Sequence, residues 1–246
     1  MRGSNDMKRL LVPVILLTAF ALTARGQVHS IQAYGTWSRG VNVVPGFTSA
    51  TAWGGGAAVR IDLGSDLVLA VGAGYEYYRL DQDSALQRWN WKFWNDRYAG
   101  IVRANLAADS SLSATLEPVQ SMEILPVTVS LGYVLRPGDD FSVRPLLGAG
   151  VAFYTRSLYL HESWQKAFDA ASYTFAYDYR NFANDKKGNP FFWLAEVQGS
   201  WQASELITID LGVRYTGTVR TPGKFGFDEF PLYNTLTIAA GISILY

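Results

Sequence analysis

The feature that most constrains this chain is an alternation of apolar and polar residues with a period of two, recurring along most of its length. It is sharpest at the C-terminus. Leu236, Ile238, Ala240, Ile242, Ile244 and Tyr246 fall on one face, and Thr235, Thr237, Ala239, Gly241 and Ser243 on the other. Residues 207–216 repeat it, with Ile207, Ile209, Leu211, Val213 and Tyr215 against Thr208, Asp210, Gly212, Arg214 and Thr216. Residues 67–78, 127–135 and 141–156 behave alike. Successive side chains of a strand point to opposite faces, so each run reads as a strand with one apolar and one polar side. After the first 26 residues no stretch approaches the roughly eighteen apolar residues that a spanning helix needs.

Eight such segments stand out, near 29–38, 51–63, 67–80, 123–135, 141–157, 190–201, 206–219 and 232–246. Short turns lie at Gly64-Ser65-Asp66, Arg136-Pro137-Gly138-Asp139-Asp140 and Ala203-Ser204-Glu205. Long connections lie at 39–50, 81–122, 158–189 and 220–231. Three short and four long connections suit an all-β, antiparallel up-and-down transmembrane barrel with short periplasmic turns and long outer loops. Eight strands is the first reading. Ten stays open, because Tyr173, Phe175, Tyr177 and Tyr179 also alternate and 184–189 reads as a turn.

Alternation alone does not say which face is inside, since a soluble barrel would turn its apolar face inward. Composition favours lipid outside. Only 17% of the residues are charged, and the polar faces are built from Gly54, Gly56, Ala58, Ala70, Gly72, Gly74, Gly148, Gly150 and Ala152 rather than from Lys and Glu. Small residues suit the crowded interior of a narrow barrel. Aromatics gather near the ends of the apolar faces. Phe141, Trp201 and Tyr246 mark one rim, and Tyr75, Tyr77, Trp193 and Tyr215 the other. Interfacial girdles have this arrangement.

Lys8 and Arg9 precede the apolar run Leu10 to Leu22, and Thr23-Ala24-Arg25-Gly26 follows with small residues. The pattern predicts a cleaved signal peptide over 1–26 and a mature barrel domain over 27–246, exported to an outer membrane. Removing that leader takes away Arg2, Lys8, Arg9, Arg25 and Asp6 and leaves 17 basic and 20 acidic residues. No excess positive charge points toward nucleic acid. The chain has no cysteine, which excludes thiolate chemistry and makes a lipid-anchored N-terminus unexpected.

The ending Ile242-Ser243-Ile244-Leu245-Tyr246 resembles the C-terminal assembly signal of outer-membrane barrels. Together with the strand pattern it makes the whole mature chain similar to the small OmpA/OmpX-like, porin-like barrels of the Gram-negative cell envelope, although those proteins more often end in Phe. Gln27 after the leader resembles exports of Bacteroidetes type. The resemblance implies outer-membrane lipid as surroundings, the barrel assembly machinery as a partner during biogenesis, and Tyr246 as part of the assembly signal.

Aligned polar faces carry Arg60, Asp62, Glu76, Arg144, Arg156, Glu196, Asp210 and Arg214 into the lumen, four positive and four negative. Unpaired charge away from water is costly, so these residues are expected to form an ion-paired, closed core. The alternative is a narrow channel for small solutes lined by the same groups. Some barrels of this type are enzymes that use His with Ser and an acid, or Asp with His, near the outer rim. His161-Glu162-Ser163 lies on that side, but its spacing matches neither pattern, so a lipid-modifying enzyme using His161 is the lesser alternative and no catalytic residue is assigned. No cofactor and no metal cluster is expected.

The outer connections are richer. Trp89, Trp91, Phe93, Trp94 and Tyr98 crowd one, and Trp164, Phe168, Tyr177 and Tyr179 the other. Such side chains serve interaction surfaces as well as packing. The expected role is therefore structural or accessory, engaging an outer-membrane protein or a glycan through 81–122 and 158–189.

Overall fold

The computed structural model describes residues 27–64 and 66–246; the leader expected over 1–26 lies outside them. Ten strands follow in chain order: β1 Gln27–Val43, β2 Phe47–Asp62, β3 Leu67–Gln82, β4 Leu112–Tyr133, β5 Phe141–Phe168, β6 Tyr173–Phe182, β7 Lys186–Gly188, β8 Phe191–Gln202, β9 Ile207–Thr218 and β10 Leu232–Leu245. Between β3 and β4 come a short helix α1 (Ala85–Arg88), a π-helical turn (Trp94–Tyr98) and α2 (Ala99–Ala108).

Eight of the strands close a ring. Neighbours run β1-β2-β3-β4-β5-β8-β9-β10, and β10 returns to β1, every pair antiparallel. The alternating segment 173–179 is indeed a strand, but β6 pairs with β5 beyond the ring, and so does the three-residue β7. Ladder partners traced once round from Leu146 pass Glu196, Arg214, Thr237, Ser38, Ala52, Tyr78 and Met122 and arrive at Arg156, ten residues further along β5. With a rise of ~3.3 Å and strands ~4.8 Å apart, that stagger over eight strands tilts them about 40° from the barrel axis.

The faces settle what surrounds the ring. Ile31, Trp53, Leu131, Leu147, Val197, Leu211 and Ile242 point outward and are 41–74% exposed, while Ser30, Gln32, Arg60, Gln198, Asp210 and Ser243 point inward and are buried. A soluble barrel would reverse this arrangement; an apolar belt outside a polar interior is that of a transmembrane barrel. Glycines on β2 make room inside. A Cβ on Gly56 would lie 2.4 Å from the Ala73 carbonyl oxygen and 2.7 Å from the Tyr34 hydroxyl, and one on Gly54 2.9 Å from Glu76 Cγ.

The outer connections differ from expectation. The one expected over 39–50 shrinks to 44–46, because β1 and β2 run on to a tight turn with Gly46 at φ +97°. The last part of 81–122 and most of 158–189 are strand. The β4–β5 ladder runs without a register shift from Gly132↔Leu146 to Leu112↔Lys166, well past the ring. Pro118 interrupts the pattern there, yet costs no ladder bond toward β3, whose pairing with β4 begins only at Gln120.

Leu147, outward in the ring-forming part of β5 between Leu131 and Ala195 on the neighbouring strands, gives a direct check of the lipid face. Leu147→Arg should lower the stability of the bilayer-folded protein by about 2–4 kcal/mol, read as a shift in the urea midpoint of folding into vesicles. An unchanged midpoint would contradict lipid at this face.

Candidate functional site

Inside the ring, polar strand positions meet in two layers. In the first, Asp210 (1% exposed) lies between two buried arginines. Arg60 Nη2 is 3.4 Å from Asp210 Oδ2 and Arg144 Nη2 is 3.3 Å from Oδ1. Gln32 donates to Asp210 Oδ2 at 2.9 Å, and Ser200 and Ser243 also donate to this carboxylate. Arg60 extends the network to Gln198 (2.8 Å) and Ser243 (2.9 Å). In the second layer Arg214 Nε donates to Glu196 at 2.7 Å, and Glu76 accepts from Tyr78 (2.9 Å) and Ser38 (3.1 Å).

Two of the expected lumen charges stand apart. Asp62 is at the rim, half exposed and 3.1 Å from His29 Nδ1, because it is the last residue of β2. Arg156 is inside, but no carboxylate among the described residues pairs with it. It donates to Gln120 (2.8 Å), Gln82 (2.9 Å) and the Glu229 carbonyl (3.2 Å), and its guanidinium lies over the rings of Phe47 (4.8 Å) and Trp89 (4.6 Å). Between the charged layers and the outer mouth the lumen holds apolar side chains, among them Tyr78, Met122, Ile124, Tyr154, Phe192, Phe230 and Leu232. A cavity of about 50 Å³ remains between Glu76, Arg214 and Phe230.

Above the ring, α1 and the π-helical turn pack on the β4–β5 extension. Leu86, Trp89 and Trp94 meet Leu158, Leu160 and Ala183 in a second apolar core. Within it Glu162 is fully buried and accepts from Tyr98 (3.1 Å), Trp164 Nε1 (2.8 Å) and Asn181 (2.5 Å). Burial, with the bond to Glu162 second, pushes the Tyr98 hydroxyl up to about 12. Alternation therefore did not separate two kinds of aromatic. Trp89, Trp94 and Trp164 are core, whereas Phe93, Phe168, Tyr177 and Tyr179 are exposed. Trp91 and Tyr98 are half-buried. Trp89, Trp91 and Phe93 border a groove of 540 Å³ at the mouth together with Asn90, Asn184 and Glu229. Neither Lys186, whose ammonium is 2.5 Å from Glu229 and 5.0 Å from the Trp89 ring, nor Glu229 carried any signal in the sequence pattern.

His161 lies on the outward face of the extension with Nε2 3.5 Å from Asp178 Oδ1. Ser163 donates to the same oxygen at 2.6 Å. The serine proton is thus directed at the carboxylate rather than at the imidazole, so the nucleophile-to-base contact that hydroxyl activation needs is not formed. Among the described residues no cluster of three or more potential metal ligands occurs. Tyr246 stands at the rim with its side chain outward and its amide donating to the His29 carbonyl at 3.0 Å.

No protein-family model matches the chain, and no curated protein matches it. Among solved structures it is similar to Neisserial surface protein A, at 12% identity and a TM-score of 0.49, covering 90% of this chain and 99% of that one. It is similar also to a major outer membrane protein from Thermus thermophilus, at 12% identity and a TM-score of 0.46, covering 89% and 100%. The outer membrane protease OmpT from Escherichia coli matches at 8% identity and a TM-score of 0.35, covering 92% and 100%. The eight-stranded antiparallel ring with its apolar belt and polar interior is the architecture of an integral transmembrane β-barrel. No activity passes to it from proteins this distant.

Asp210→Asn removes the carboxylate that lies between Arg60 and Arg144 and leaves their charge buried. It should cost about 3–5 kcal/mol in urea unfolding, whereas a group lining open water would cost far less.

A second check lies outside the membrane. Asp109, after α2, accepts from Ser111 (2.6 Å) and pairs with Lys166 (2.9 Å) at the end of β5. The Ser111 hydrogen bond first, and Lys166 next, lower its carboxyl from 3.8 to about 2. A depressed folded value means that this clasp stabilises the fold in full above about pH 4 and weakens as pH falls toward about 2. Carboxyl NMR should find the midpoint near 2. Lys166→Ala should move it upward, and an unmoved midpoint would show that the pair contributes nothing.

Proposed function

We propose that this barrel is non-catalytic, closed through its lumen, and serves the outer membrane as a structural or accessory protein that engages a partner with its outer layer. The leader over residues 1–26 would export it, the barrel assembly machinery would insert it by way of the strand ending in Tyr246, and outer-membrane lipid would surround its belt. The observation that carries the reading is the outer layer itself. A rigid platform with its own apolar core still leaves Phe93, Phe168, Tyr177 and Tyr179 in water. Exposed aromatics held on ordered backbone bind partners at low entropic cost. The lumen supports the closed half of the reading, because two polar layers and an apolar plug fill it with the protein's own side chains. The mixed aromatic and polar groove at the mouth suits a protein or a glycan.

Tagged protein extracted from native outer membranes in mild detergent should bring down a stoichiometric companion, identified by mass spectrometry. Trp91→Ala with Phe93→Ala should reduce its recovery at least tenfold while the unboiled band keeps its distinct gel mobility. Planar bilayers should show no discrete conductance steps. Solitary protein without glycan, or steady unit conductance, would overturn the accessory or the closed half of the reading respectively.

A further inference from the structure

β6 is the anomaly of the outer layer. It pairs with β5 from Tyr159↔Phe182 to Phe168↔Tyr173 and, among the described residues, with nothing on its other side. Nine of its ten residues are exposed, with Tyr173, Phe175, Tyr177 and Tyr179 at every second position. Proteins protect such edges with charges, above all lysine, or with proline, a bulge or shortness; β6 has no lysine, proline or bulge, and its two charges, Asp178 and Arg180, are of opposite sign. A ten-residue aromatic edge with no partner beyond it is a template for another strand.

We infer that the occupant is β6 of a second copy, paired antiparallel about a two-fold axis centred on Tyr179, and that the two copies stand in facing membranes. The inference rests on the partner-binding reading and gives the partner an identity. The register follows from charge. Directly opposed residues of an antiparallel pair share a face, so the two-fold must pass through a residue. Centred on Asp178 or Arg180, like charges meet. Centred on Tyr177, the charges meet Ala176 and Thr174. Centred on Tyr179, Asp178 of each copy meets Arg180 of the other, twice over. Both side chains lie on one face of the sheet, Asp178 beside Ser163 and Arg180 over the Tyr159 ring.

The facing arrangement follows from symmetry. The two-fold relating antiparallel neighbours is perpendicular to their sheet. The unbroken β4–β5 ladder makes the sheet that bears β6 a continuation of the barrel wall, with strands about 40° from the barrel axis. A perpendicular to such strands stays at least about 50° from that axis. Two copies side by side in one membrane need a two-fold parallel to it, which this pairing cannot supply. Copies in opposed membranes need an axis in the membrane plane, which it can.

The test uses full-length protein in phosphatidylcholine vesicles of two colours, with clustering read by light scattering and colour mixing. Wild-type vesicles should cluster. Asp178→Lys and Arg180→Glu should each reduce clustering at least tenfold, since each sets like charges against each other in a self-pair. Mixing the two variants restores opposite charges at both contacts and should restore clustering between colours. Both positions are exposed, and an unchanged unboiled mobility verifies folding. Failure of wild-type vesicles to cluster, indifference to the single changes, or no recovery on mixing would overturn the inference. A companion that still co-purifies in that event would leave the broader partner-binding reading standing.

Discussion

A backbone in hydrocarbon must satisfy its hydrogen bonds within the protein, and a ring of strands achieves this only by closing on itself. In this chain β10 meets β1 and β4 meets β5, and the ten-residue stagger accumulated on the way round sets the tilt and the bore. Other features follow from the bore. Glycine must face inward where Tyr34 and Glu76 cross the lumen. Charges that enter so narrow a space must find partners among themselves, as Asp210 does with Arg60 and Arg144.

The same closure divides the molecule into two chemistries. Within the belt, side chains answer to lipid outside and to one another inside. Beyond it, β4 and β5 continue without lipid and need a different reason to stay ordered. That reason is the second core, where α1 and the π-helical turn cover one face of the extension and Glu162 is held by three neutral donors. What is left uncovered, above all β6, is where an encounter with another molecule costs least in ordering.

Lipid explains why so much of the ring could be read from the sequence. A wall with hydrocarbon on one side and a crowded lumen on the other imposes strict alternation, and the eight segments and their inward residues carry it openly. The strand ends were less legible. Past the belt the outward face no longer needs to be apolar, so the beginning of β4 and the end of β5 looked like loop. The lumen charges were placed by parity, but their pairing was not, because parity says nothing of height: Asp62 sits at the rim and Arg156 at the mouth. The aromatics of the outer layer were visible as a crowd. Sorting core from display depends on distant contacts such as that of Trp89 with Asn184, 95 positions away, which no local pattern encodes.

Arg156 belongs to both halves. It rises from the barrel wall on β5, donates hydrogen bonds on the barrel side to Gln120, and is clasped between Phe47 at the start of β2 and Trp89 of the helical cover. Until β3, β4 and β5 lie side by side, Gln82, Gln120 and Arg156 are not gathered, and the cover has no seat. The outer face is thereby made conditional on the wall beneath it: a chain whose central strands have not joined in the membrane cannot present a finished surface to the outside, and the ordering of assembly is written into a single cation.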